Sequence, residues 1–185
     1  MSVCIGQGSL FLLALCLRTV PLPWAAAGGL AALLHEGGHL LALVCCGGHL
    51  RRICLRPGGA VLETGGLGPL SAGLCALAGP ACGLLLLPLY PRLPRLAVCG
   101  LTQSVFNLLP LPASDGALVA QLLCDRCLPP QQSLRLQQGL SLLCLTGLVA
   151  LAFPAAALLP FPPAIIPILL IFKLRAGKNP CIYPL

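Results

Sequence analysis

Long apolar runs, separated by short stretches rich in proline, glycine and arginine, repeat along the whole sequence. A helix needs about 20 mostly apolar residues to cross the hydrocarbon core of a bilayer, and helices tend to end just before prolines. The pattern therefore predicts about six membrane-spanning helices. We place them at residues 3–20, 24–46, 68–90, 95–124, 132–153 and 155–173.

One segment does not fit this pattern. Residues 48–66, GHLRRICLRPGGAVLETGG, are too polar and glycine-rich to span, and their alternation predicts a short hairpin or re-entrant loop after the second helix. The predicted fold class is all-α: a polytopic integral membrane protein with a single domain over residues 1–185. No soluble regulatory domain is expected. Residues 3–20 are interpreted as a retained helix rather than a secretory signal, because no Lys or Arg precedes them.

The composition favours a membrane protein over a soluble one. Hydrophobic residues make up 58% and charged residues 8% of the chain, and the mean hydropathy is +0.98, which leaves too little polar surface for a soluble domain. The 12 cysteines are scattered through apolar runs, where a thiol behaves as a small hydrophobe, so no disulfide framework is predicted. Cys124 and Cys127 lack a second pair to complete a zinc site, and we interpret them as part of an interfacial turn.

The net charge of +7 indicates membrane topology rather than nucleic-acid binding, because the basic residues occur singly or in small groups between apolar runs. Cytoplasmic loops carry an excess of Lys and Arg. If the N-terminus is inside, the cytoplasmic side holds Arg51, Arg52, Arg56, Arg126, Arg135, Lys173, Arg175 and Lys178. The outside then holds only Arg18, Arg92 and Arg95, so both termini are predicted in the cytoplasm. The expected partner of these charges is the lipid bilayer and not a nucleic acid.

The stretch LAALLHEGGHLLALV, residues 30–44, places ionisable side chains in an apolar run, where burying them is costly. His35 and His39 lie four residues apart, so a helix brings both imidazoles to one face, where they can bind one zinc ion. Glu36 follows the first histidine and can act as a general base beside the metal, which is the H-E-x-x-H pattern. The alternative is that both histidines hydrogen-bond to neighbouring helices, but such a structural pair does not need the carboxylate.

A catalytic zinc site also needs a third protein ligand and an open position. Asp115 is the candidate, because it is the only other acidic residue set well within an apolar segment, FNLLPLPASDGALV at residues 106–119. The prolines and Gly116 predict a break in the helix, and irregular backbone at membrane depth must lie beside protein or a water-filled cavity. A hydrolase needs such a cavity to admit water and a peptide.

Together the two segments resemble the site-2 protease family of intramembrane zinc metalloproteases, peptidase family M50, and most closely its stage IV sporulation protein FB branch. The family shows H-E-x-x-H on one span and N-x-x-P-x-x-x-x-D-G on a later one, matched here by His35 to His39 and by Asn107 to Gly116. The sequences PGGAVLE, after the first motif, and LAGP, on the next span, are also similar to that branch. The resemblance places the catalytic core at about residues 24–124.

The resemblance implies a zinc ion bound to each chain, with His35, His39 and Asp115 as ligands and Glu36 as the catalytic glutamate. Asn107 would lie close to the metal and hold the substrate or the developing oxyanion. The implied function is hydrolysis of a peptide bond in or near a transmembrane segment of a membrane-associated protein, as in regulated intramembrane proteolysis. By analogy with the sporulation branch, the substrate is a sigma-factor precursor or an anti-sigma factor, and the location is the bacterial cytoplasmic membrane.

The sequence departs from the family pattern at Gly83, where members often have asparagine. It departs again beside the implied metal, at Ala113, Ser114 and Ala117. Neither change removes an implied ligand or the base, so we expect them to affect substrate preference rather than activity. Two other functions stay open: a catalytically silent adaptor that binds a partner helix, and a zinc or proton carrier. An adaptor does not need Glu36 as a base. A carrier requires further polar residues along a path through the membrane, and outside the motifs the predicted spans hold scattered Gln, Ser and Thr.

Overall fold

Helices and a small sheet form the described part of the computed structural model, which covers residues 2–5, 14, 16–56 and 59–158. The helices are α1 (Leu22–Cys45), α2 (Pro69–Leu84), α3 (Pro94–Leu108), α4 (Asp115–Cys127) and α5 (Pro130–Leu158). The strands are β1 (Ser2–Ile5), β2 (His49–Arg56) and β3 (Gly59–Gly65). A short 3-10 helix, Leu87–Leu89, follows α2, and residues 16–19 are also helical.

The hairpin predicted after the second span is present as β2 and β3, which pair in antiparallel fashion. β1 pairs in parallel with β2, from Ser2 beside Arg52 to Ile5 beside Leu55, so the strand order is β1-β2-β3. The prediction of a helix beginning at residue 3 is therefore wrong for residues 3–5. Their backbone hydrogen bonds go to β2 instead, and the β-branched Val3 and Ile5 suit a strand. The fold is mostly helical with a mixed sheet, rather than all-α.

Two predicted spans have clear counterparts. α1, and α2 together with the 3-10 helix that follows it, are long and apolar enough to cross a membrane. The 24 residues of α1 extend about 36 Å, which exceeds the roughly 30 Å of hydrocarbon in a bilayer.

The later predicted spans differ from the structure. The span at residues 95–124 is divided into α3 and α4, because residues 109–114 leave the helical path. α5 continues to Leu158, so the predicted boundary near residue 154 is wrong. The rest of the sixth predicted span lies outside the described residues, and the six-span topology stays a prediction.

The described helices bury mostly small residues, with Leu43 and Leu96 among the exceptions, and present most of their large apolar residues outward. Ala31, Ala97 and Ser104 are almost fully buried, whereas Leu33 and Leu85 are 71% and 72% exposed. In water, an apolar surface of this kind would be unfavourable. In lipid, small residues let helices approach closely while leucine side chains meet the acyl chains. The distribution of side chains therefore fits a membrane protein.

Glycines set the close contacts among the first three of these helices. A Cβ atom on Gly38 would lie 2.7 Å from the Cys82 sulfur and 2.8 Å from the Ala78 carbonyl oxygen, so α1 and α2 approach through their backbones. Gly83 and Gly100 meet in the same way where α2 contacts α3. Of the adjacent residues Gly37 and Gly38, it is Gly38 that makes this contact within the described part of the chain.

Gly83 also has a complementary residue on α3. The Ser104 hydroxyl fills the space that a side chain at position 83 would take, and it lies 2.9 Å from the Pro80 carbonyl oxygen and 2.8 Å from that of Gly100. The small residue on one helix is thus matched by a hydrogen-bonded serine on the next. An asparagine at position 83 would therefore require a different residue at position 104.

The α1–α2 contact gives a test with an adjacent control. Gly38→Ala should lower the thermal unfolding midpoint in detergent, because overpacking of this kind costs about 1–3 kcal/mol. Gly37→Ala should leave the midpoint unchanged or raise it, since a Cβ there meets no atom within 4 Å in the described part of the chain and alanine favours helix by up to about 1 kcal/mol. Equal midpoints for the two variants would contradict the assigned packing.

Candidate metal centre

α1 places His35 and His39 one helical turn apart with their rings in contact. The ring centroids are 4.8 Å apart at an interplanar angle of 85°, and the two Nε2 atoms are 3.2 Å apart. His35 is 2% exposed, so the centre lies among the helices rather than on the outer apolar surface. The two histidines precede Cys45, the last residue of α1, by six and ten positions, which places them about 9 and 15 Å from that end of the helix.

The segment between α3 and α4 turns the chain so that α4 begins at Asp115. Ala113 has a φ of 60°, in the left-handed region where an L side chain is strained. Ser114 caps α4, because its hydroxyl accepts a hydrogen bond from the Ala117 N–H at 3.2 Å. The same hydroxyl lies 2.6 Å from the Leu109 carbonyl oxygen, to which it can donate. The break is therefore held by the serine that precedes the acidic residue.

Gly116 lets the beginning of α4 lie directly against the end of α3. A Cβ atom at this position would lie 2.9 Å from the Leu109 carbonyl oxygen and would overlap the carbonyl of Leu108. The order Asp115-Gly116 thus has a physical reason: the aspartate contacts the histidines, while the glycine packs on the backbone of α3.

Asp115 contacts both histidines. Its Oδ2 lies 3.2 Å from His35 Nε2, and its Oδ1 lies 3.4 Å from His39 Nε2. Ligands bound at about 2.0–2.1 Å to a tetrahedral zinc ion are separated from one another by about 3.3–3.4 Å. The two distances from Asp115 to the histidines and the 3.2 Å between the two histidine Nε2 atoms therefore match the spacing expected of zinc ligands. The three residues form a group whose donor atoms all lie within 4.8 Å of one another.

Neighbouring groups orient these donor atoms. His39 Nδ1 lies 2.7 Å from the Cys75 carbonyl oxygen, which can only accept, so Nδ1 carries the proton and Nε2 presents its lone pair to the centre. Asn107 Nδ2 lies 3.3 Å from His35 Nε2. Among the described residues, the buried Asp115 Oδ2 accepts no hydrogen bond of good geometry. A lone pair and a buried carboxylate oxygen both need a positive partner, so the donor set fits a metal ion.

Glu36 is adjacent to this group. It follows His35 on α1, is partly exposed, and interacts electrostatically with His39. The structure thus brings together all the residues that the sequence selects: His35, Glu36, His39, Asn107 and Asp115. Their individual roles stay predictions.

Two residues of α2 help to build the centre although the sequence assigns them no role. The Cys75 carbonyl orients His39, but every residue offers a carbonyl, so no residue type marks such a position. Gly79 lies against the His39 ring, because a Cβ atom there would be 2.5 Å from Cε1 and 2.8 Å from Cδ2. The LAGP segment contains this glycine, yet the sequence does not reveal which side chain it accommodates.

Comparison with known proteins addresses the fold. No family model and no curated protein matches the sequence. Among solved structures, the site-2 protease from Methanocaldococcus jannaschii matches with a TM-score of 0.68, over 99% of this chain and 94% of that chain, at 14% identity. The chain has the site-2 protease fold. This fold and the two apolar helices indicate a membrane protein, while membership of the sporulation branch stays a prediction.

The contact between Gly79 and His39 can be tested by metal binding. Gly79→Ala should displace the imidazole and weaken zinc affinity by at least about tenfold, as changes beside metal ligands commonly do. Titration of the metal-free protein with zinc, in competition with a chelating dye, measures this affinity. Gly73→Ala is the matched control on α2, because a Cβ there would meet a flexible Leu122 side chain at 3.4 Å. Unchanged affinity in Gly79→Ala would contradict the described position of His39.

Proposed function

We propose that this protein is an intramembrane zinc metalloendopeptidase that hydrolyses a peptide bond in or near a transmembrane segment of a membrane-associated protein. The observation that carries the proposal is the meeting of His35, His39 and Asp115 at ligand spacing, with Glu36 on the same helix as the histidines. The site-2 protease fold supports it. A site built only to join helices would not need Glu36 beside the histidines.

The reaction uses side chains of the described centre. His35, His39 and Asp115 would hold a zinc ion, which would supply Lewis acidity toward a peptide carbonyl and toward water. Glu36 accepts a proton from the water as the water oxygen bonds to the carbonyl carbon. Glu36 then gives this proton to the leaving amine as the C–N bond breaks. The Asn107 amide, within 3.3 Å of a histidine ligand atom, donates a hydrogen bond to the carbonyl oxygen as negative charge develops there.

The depth of the centre sets the kind of substrate. Both histidines lie about 9–15 Å from the end of α1, within the length of a helix that crosses the bilayer. A peptide bond that reaches them must come from a segment in or near the membrane. In a helix its carbonyl is already hydrogen-bonded, so the segment must unwind locally before water can attack. Glycine, proline or asparagine near the cut site should make this unwinding easier.

The finer proposals rest on analogy with the sporulation branch. They are a sigma-factor precursor or an anti-sigma factor as the substrate, and a multi-pass arrangement in a bacterial cytoplasmic membrane with both termini in the cytoplasm. The excess of basic residues in the predicted inside loops supports this orientation.

Glu36→Gln and Asp115→Asn should separate catalysis from metal binding. Glu36→Gln should retain about one zinc ion per chain but lower turnover by about 10²–10⁴-fold, because the base is removed while the ligands stay. Asp115→Asn should lose zinc as well as activity, because a carboxylate ligand becomes a neutral amide. Zinc content and cleavage of a model membrane substrate, measured on protein purified in detergent, test both expectations.

Glu63→Gln is the matched control, because Glu63 lies on β3 and pairs with Arg52 at 3.7 Å, away from the histidines. It should keep wild-type zinc content and turnover. Zinc in the wild type with no cleavage across a panel of substrates would favour an adaptor over a protease. Equal zinc loss in Glu36→Gln and Asp115→Asn would overturn the assigned roles.

A further inference from the structure

The break between α3 and α4 leaves backbone carbonyls outside the helical hydrogen-bond ladders. Within the break, the Leu111 N–H donates to the Leu109 carbonyl at 2.7 Å, and the Ser114 N–H donates to the Leu111 carbonyl at 3.1 Å. The Pro110 carbonyl, between these two, receives its hydrogen bond from a different helix. Its donor is the Ser141 hydroxyl on α5, at 2.7 Å.

This contact joins α5 to the backbone between two residues of the centre. Pro110 follows Asn107 by three positions and precedes Asp115 by five. Both Pro110 and Ser141 are partly buried, in a region where a carbonyl without a donor is costly. α5 itself provides none of the three ligand residues found in the described part of the chain.

A second polar contact holds α5 nearer its beginning. The Ser133 hydroxyl, almost fully buried, hydrogen-bonds to the Asp125 carboxylate on α4. Ser133 and Ser141 are eight positions apart, or about 12 Å along the helix. Ser141 therefore contacts the break from a helix that is itself fixed to α4. Thr146, five positions further along α5, differs: it is exposed and its hydroxyl donates to the Leu143 carbonyl of its own helix at 3.0 Å.

We propose that Ser141 is a positioning residue for the metal centre: its hydrogen bond to the Pro110 carbonyl fixes the break so that Asp115 and Asn107 meet the two histidines. The inference rests on the proposed zinc site. When the hydroxyl is removed, the Pro110 carbonyl must find another donor, and the backbone that leads to Asp115 shifts or becomes more mobile. Ser141 acts through this backbone and does not itself touch the metal ligands.

The test compares Ser141→Ala, Ser141→Thr and Ser141→Val in the full chain in detergent. The Thr and Val side chains have nearly the same shape, so their difference isolates the hydroxyl. One readout is the rate at which zinc passes to an excess of chelator. The other is hydrogen exchange of the backbone amides in residues 109–116, which needs neither metal nor activity. Thr146→Val is the control for removing a hydroxyl from α5.

Ser141→Ala and Ser141→Val should release zinc about tenfold or more faster than wild type and exchange the break amides faster, as expected when support for a ligand is lost. In both zinc release and amide exchange, Ser141→Thr should lie closer to wild type than Ser141→Val does. The control Thr146→Val should match wild type in both measurements. The proposal would be overturned if Ser141→Ala released zinc and exchanged its amides at wild-type rates, or if Ser141→Thr and Ser141→Val gave equal rates.

If wild type binds zinc but cleaves nothing, the protease proposal fails while zinc release still decides the role of Ser141. If wild type binds no zinc, amide exchange decides it.

Discussion

A backbone carbonyl or N–H inside a bilayer must find a partner within the protein, and this constraint governs the candidate metal centre. Asp115 reaches the histidines because α3 stops and α4 begins at a new position, and each such interruption exposes polar backbone. Ser114 hydrogen-bonds within the break, and Ser141 supplies a donor from α5. The left-handed Ala113 shows that the path is also strained. Asp115 is thus positioned by a set of local hydrogen bonds rather than by a regular helix.

Close packing of helices is the second requirement of the site. Gly38 brings α2 against α1, and Gly79 makes room on α2 for the His39 ring, whose Nδ1 then reaches the Cys75 carbonyl. The same helix contact therefore stabilises the bundle and selects the histidine tautomer. These helix contacts are formed by small residues rather than by bulky side chains. Most of the leucine side chains therefore face outward, as a lipid environment favours.

The residues that meet at the candidate metal centre were predictable from the sequence because their signals are local or depend strongly on residue type. His35 and His39 follow helical spacing, and Asp115 stands out as an acidic residue within an apolar segment. The hairpin was predictable from its polarity and alternation. β1 was not, because its pairing with β2 joins residues about fifty positions apart, and no local pattern encodes that contact. The roles of Cys75, Gly79 and Ser141 depend on which helix lies beside them, so residue type alone could not reveal them.

In the proposed reaction, the position of the histidines along α1 would also affect how the products leave after bond cleavage. Hydrolysis of a peptide yields a carboxylate and an ammonium group at neutral pH, and both are strongly disfavoured in hydrocarbon. A centre about 9–15 Å from one end of a spanning helix leaves these new charges a short path to the nearer interface. The other side of the bilayer is farther away. The depth of the site would therefore give product release in the proposed reaction a direction, with the newly charged ends moving toward water on the side where α1 ends.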